Sequence, residues 1–136
     1  MPEGGCFCGK VRISYEGEPL GKALCHCVDC RKITGSTYST NIIVAGPGFK
    51  VLSGTPKTIS KTADSGNEIT SHFCGDCGST IWRDGPSFGD NKCIKVGTLD
   101  DADALDKAKP GVELYTTERV SWVAEVPGAG QKPGML

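Results

Sequence analysis

The chain has almost no net charge: 15 Lys and Arg stand against 16 Asp and Glu, leaving −1 over 136 residues. That balance excludes the basic footprint of a dedicated nucleic-acid binder, and no Lys/Arg run is longer than Arg31-Lys32. No stretch approaches the roughly 18 apolar residues of a membrane span, so neither nucleic acid nor a bilayer is expected as a partner. The start, Met1-Pro2-Glu3-Gly4-Gly5-Cys6, lacks both the basic and the apolar region of an export signal, which predicts a cytoplasmic protein. Helix signals are scarce as well. One turn is expected after Cys27, through Arg31 and Ile33 to Gly35, and one over Ala102 to Lys107, capped by Asp100 and stopped by Pro110-Gly111.

Strand signals and cysteines are plentiful instead. Val11, Ile13 and Tyr15 alternate with Lys10, Arg12 and Ser14, the period of a half-buried strand. Further strands are expected over Thr37–Val44, Phe49–Leu52, Pro56–Thr62, Glu68–Phe73, Ser79–Arg83, Lys92–Leu99, Val112–Thr116 and Arg119–Val123. With 19 Gly and 8 Pro marking turns between them, the pattern predicts a mainly β, single-domain protein with little helix. Residues 1–126 are expected to form one zinc-binding domain and 127–136 an extended tail.

Eight cysteines in a reducing compartment point to metal rather than to disulfides. Cys74-Gly75-Asp76-Cys77-Gly78 is a Cys-x-x-Cys turn of zinc-knuckle type, and Cys6-Phe7-Cys8-Gly9 supplies a second pair. Together Cys6, Cys8, Cys74 and Cys77 predict a closed, four-thiolate structural zinc. Two separate disulfides are the competing reading, and a Cys-x-Cys ring would be strained.

Cys25, Cys27 and Cys30 form a different group, three thiols within six residues with no evident fourth cysteine. Three protein ligands and an open position describe a catalytic zinc. Three sulfurs weaken the ion as a Lewis acid but suit it to binding an incoming thiol. Arg31 and Lys32 follow at once and could offset the charge of such a site or hold a substrate carboxylate, with Gly35 and Ser36 beside them. Two other readings stay open: a second closed site completed by His26, Asp29, His72 or Cys93, and a metal-free redox trio. Cys93 in its strand-like run reads as a small buried hydrophobe, His72 as a structural histidine, and Trp82 and Trp122 as core or cleft walls.

Gly5-Cys6-Phe7-Cys8-Gly9, Cys25-His26-Cys27-Val28-Asp29-Cys30-Arg31-Lys32, Phe73-Cys74-Gly75-Asp76-Cys77-Gly78-Ser79 and Val96-Gly97-Thr98-Leu99-Asp100-Asp101 occur in that order. The set, spread over about Gly5 to Val123, resembles the glutathione-dependent formaldehyde-activating enzyme and centromere protein V family. The resemblance implies a β-tent fold with two zinc ions, one on Cys6, Cys8, Cys74 and Cys77 and one on Cys25, Cys27 and Cys30. It also implies carbon–sulfur lyase activity, the reversible joining of the glutathione thiol to formaldehyde, with glutathione as small-molecule partner. A non-catalytic zinc module of the centromere protein V type is the alternative function that the resemblance allows.

Overall fold

Alternation of side chains along short strands builds this protein from two sheets. The computed structural model describes residues 1–63 and 65–135. Its elements run β1 (Glu3–Gly5), β2 (Arg12–Ser14), β3 (Gly21–Cys25), α1 (Val28–Thr34), β4 (Ser39–Val44), β5 (Lys50–Ser53), β6 (Lys57–Thr62) and β7 (Glu68–Phe73). They continue with β8 (Thr80–Asp84), β9 (Lys92–Lys95), α2 (Ala104–Lys107), β10 (Val112–Leu114) and β11 (Gly130–Gln131). The smaller sheet has the order β1-β2-β5, and the larger one β11-β10-β3-β4-β9-β8-β7-β6. Pairing is antiparallel except at one end, where β10 lies parallel to both β3 and β11. The expectation of a mainly β fold with little helix therefore holds.

Period two sends successive residues of each strand to opposite faces of the larger sheet. Ile42 and Val44 of β4, Trp82 of β8 and Ile94 of β9 share one buried cluster with Val11, Ile13 and Tyr15 from around β2, so this face packs on the smaller sheet. The opposite face is polar. Its register rows place Cys25 beside Ser39, Asn41 beside Lys95, and Cys93 beside Arg83, which in turn faces Ser71. Ala23, Cys25, Cys30 and Leu114 form a second buried cluster on this side, where α1 begins.

Several boundaries differ from expectation for identifiable reasons. Residues Arg119–Val123 form no strand, and Trp122 is 76% exposed rather than a core or cleft wall. Arg119 is instead drawn back to Glu113 and to Gln131 of β11. Asp100 does not cap α2, because Arg12 holds its carboxylate in a two-pronged ion pair. Asp101 accepts the amide of Asp103, the residue at the helix start, at 2.9 Å, and no side chain caps α2. Strand β10 gains a partner that periodicity did not indicate, the two-residue β11, with Lys132 N–H donating to Glu113 O at 2.9 Å.

Candidate metal centres

Two turns of the same design bring the first four sulfurs together. After Cys8 and after Cys77 the chain reverses through Gly9 (φ 83°) and Gly78 (φ 81°), a left-handed conformation that a Cβ would oppose. Gly9 N–H donates to Cys6 O, and Gly78 N–H to Cys74 O, closing each turn. The Ser79 hydroxyl links the two by accepting the Phe7 amide at 3.1 Å and contacting Cys77 Sγ at 3.3 Å.

The sulfurs of Cys6, Cys8, Cys74 and Cys77 lie within 4.8 Å of one another. Cys6 and Cys8 are 3.6 Å apart, and Cys8 and Cys74 3.7 Å. A disulfide needs about 2.05 Å, whereas a tetrahedron with metal–sulfur bonds of about 2.3 Å has edges of about 3.8 Å. The spacing fits a shared ion and not a bond. Two of the sulfurs are prepared for charge: the Ser79 hydroxyl and amide hold the Cys77 thiol down to about 5, and Val11 N–H donates to Cys6 Sγ at 3.3 Å. Against the bond from the Lys10 amide, burial and contact with Cys6, Cys74 and Cys77 push Cys8 up to about 11.

The second group sits where β3 runs into α1. Cys25 ends the strand, Cys27 is the N-cap residue, and Cys30 occupies the first helical turn. The Cys30 amide, one of the donors a helix start leaves unpaired, is satisfied by Cys27 Sγ at 3.3 Å. The three sulfurs lie within 4.8 Å of one another, with Cys25 and Cys27 3.4 Å apart. Hydrogen bonds from the Cys25 and Cys27 thiols hold Cys30 down to about 2, while contact with Cys27 and Cys30 and burial drive Cys25 well up. A divalent cation between them would let all three ionise.

None of the four possible fourth ligands joins this trio among the described residues. His26, fully buried, donates from Nε2 to Glu113 Oε1 at 2.7 Å, and its backbone amide extends the β3–β10 pairing through Leu114 O. Asp29 accepts from Lys61 Nζ at 2.7 Å. His72 donates to Asp84 Oδ1 at 2.8 Å and stacks on the buried Trp82 ring at 4.2 Å. Cys93 is buried in β9 and lies outside the group, its thiol pushed up by that burial. Arg31 and Lys32 stand in the last turn of α1, with Gly35 in the left-handed cap position and Ser36 exposed beyond it.

Glu113 is the main residue of the site that sequence reasoning passed over. Fully buried in β10, its carboxylate accepts from His26 Nε2, from Val126 N–H at 2.8 Å and from Gln131 Nε2 at 2.8 Å, and Arg119 lies 3.3 Å away. Burial alone would push its carboxyl up, but the bonds from Gln131, Val126 and His26 together with the Arg119 charge hold it down from 4.5 to about 2. Glu113 therefore locks the loop that carries Cys25 and Cys27. A depressed carboxyl stabilises the fold above its unfolded value and loses that contribution as pH falls from about 4.5 towards 2. Glu113→Gln is expected to cost about 3 kcal/mol at pH 7 in urea unfolding, with the gap to the parent narrowing below pH 4.5.

The sequence profile described as glutathione-dependent formaldehyde-activating enzyme matches residues 1–118. No curated protein matches the chain. Among solved structures, a Rhodobacter sphaeroides protein determined as a structural-genomics target is similar, with a TM-score of 0.61 at 20% identity over 79% of this chain and 96% of that one. At that identity the likeness concerns the fold, whereas the profile match spans nearly the whole described domain. On that match, and with both cysteine groups assembled as metal-ready clusters, the chain belongs to the glutathione-dependent formaldehyde-activating enzyme family.

Proposed function

We propose that this protein is a zinc-dependent carbon–sulfur lyase that joins a glutathione-type thiol to formaldehyde or another small electrophile. Cys6, Cys8, Cys74 and Cys77 would hold a structural zinc, and Cys25, Cys27 and Cys30 a second, working one. The observation that carries the proposal is the trio itself, three converging sulfurs with Cys25 and Cys30 buried and Cys27 half-buried, and with His26, Asp29, His72 and Cys93 all placed elsewhere. When bound there, zinc lowers the pKa of an incoming thiol so that thiolate forms at neutral pH.

The chain's own groups do the rest. The Cys30 amide and the Ser39 hydroxyl donate to the cluster sulfurs and draw off part of their charge. The His26–Glu113 pair fixes the loop between the two outer ligands. In the reaction the thiol sulfur bonds to the aldehyde carbon, and the thiol proton ends on the former carbonyl oxygen. Arg31, Lys32 and the Gly35-Ser36 segment follow at the end of α1, the helix whose start carries Cys27 and Cys30, and could steer substrate carboxylates from there. A cytoplasmic protein meeting millimolar thiol would suit this chemistry.

The test is exchange NMR on glutathione and formaldehyde with the zinc-loaded protein. Formation and breakdown of the S-hydroxymethyl adduct should accelerate in proportion to protein concentration. Rates equal to the protein-free mixture would end the proposal.

A further inference from the structure

Two buried basic residues share the sheet face that carries Cys25; neither has a carboxylate partner among the described residues, and the charge of Lys95 is felt by the Cys30 thiol. Lys95 and Arg83 are each 7% exposed. Lys95 Nζ donates to Asn41 Oδ1 at 2.6 Å, and Arg83 Nε to Ser71 Oγ at 3.0 Å, both neutral acceptors. Burying a cation without a counter-ion costs several kcal/mol. An ammonium group has three donors, and Asn41 takes one of them. The remainder have somewhere to point. Lys95 lines a cavity of about 340 Å³ between Ile33 and Thr34 of α1 on one side and the Cys77–Thr80 turn on the other. It is the one charged basic residue there.

The same lysine is tied to the sulfur trio. Asn41, which accepts from Lys95, donates to Ser39 Oγ at 2.9 Å, and Ser39 in turn bonds the Cys30 thiol. The cavity thus opens beside the helix that carries Cys30 and has a cation in its wall. Charge accounts for the purpose. Around a divalent ion, three thiolates leave one negative charge, against which Lys95 and Arg83 set two positive ones. That count leaves one positive charge for an incoming anion to balance.

We infer that Lys95 is a substrate anchor: the cavity between α1 and the Cys77–Thr80 turn takes a small thiol bearing a carboxylate, the carboxylate on Lys95 Nζ and the sulfur towards Cys25, Cys27 and Cys30. This rests on the thiol reading above and names the residue that selects among thiols. Half-buried Arg31 and exposed Lys32 on α1 are not needed for that selection.

Calorimetric titration of the zinc-loaded full chain with 3-mercaptopropionate and with 3-mercaptopropionamide isolates the carboxylate. The acid should bind about tenfold or more tightly than the amide, the value of a buried charge-assisted hydrogen bond. In Lys95→Met the ratio should fall to near one, with zinc content and amide affinity kept, and Lys95→Arg should retain a preference for the acid. Equal binding of acid and amide by the parent protein overturns the anchor and leaves the thiol reading standing, whereas binding of neither overturns both. Should Lys95→Met fail to fold, backbone amide shifts in the parent protein decide. Differences between the two ligands confined to Ile33, Thr34 and Gly78–Thr80 support the anchor, and differences confined to Arg31, Lys32, Gly35 and Ser36 overturn it.

Discussion

Cys74→Ser is expected to leave the chain without a cooperative fold at 25 °C. Cys74 is 1% exposed and belongs both to the sulfur quartet and to the main apolar cluster. Structural zinc in small domains contributes about 10–16 kcal/mol of apparent binding energy, against a total folding stability of about 5–15 kcal/mol. A domain of this size cannot lose one thiolate in four and keep its margin. Near-ultraviolet circular dichroism should flatten, and metal analysis should show the quartet's ion gone. A serine variant with the parent's denaturation midpoint would refute a structural role for these four residues.

Cys27→Ala is expected to do the opposite: keep the fold and remove the working site. Its Sγ caps α1 by accepting the Cys30 amide, so alanine there should cost about 1 kcal/mol and lower the melting temperature by about 4 °C. Zinc content should drop from two per chain to one, and glutathione binding should weaken at least about a hundredfold, as expected when a metal ligand is lost. Two ions retained with thiol binding intact would show that the trio is not where the thiol goes. Loss of both ions with unfolding would make the second site structural as well. The pair of variants therefore separates the two groups by their failures, one in folding and one in binding.

The cysteine groups were legible because each lies in a short run whose spacing carries its geometry. Cys74-x-x-Cys77-Gly78 and Cys6-x-Cys8-Gly9 announce both the converging sulfurs and the left-handed glycine that turns the chain behind them. Most strands were legible for a similar reason, since Ile42, Val44, Trp82 and Ile94 repeat on one face with period two. What escaped depends on partners far apart in sequence. Glu113 looks like an ordinary strand glutamate until β10 lies beside β3 and brings it to His26, 87 residues away. Lys95 and Arg83 lie on the polar side of alternating strands and are nonetheless buried, so the usual rule that the polar side meets water fails there. Trp122 was misjudged in the other direction: an aromatic residue in a strand is normally packing, but no strand forms there because Arg119 is recruited by Glu113. Two-residue β11 is too short for any periodicity to register.

The distance along the chain between the halves of the quartet has a consequence for biosynthesis. Cys8 and Cys74 are 66 positions apart, so the first pair leaves the ribosome well before its partners exist. At about 5–20 residues per second the wait is on the order of several seconds. Cys25, Cys27 and Cys30, by contrast, emerge within six residues of each other and can capture an ion almost at once. With the assignment proposed above, the nascent polypeptide would acquire its working metal first and its stabilising metal last, and until then Cys6 and Cys8 would meet whatever competing metal or oxidant the translating cell presents.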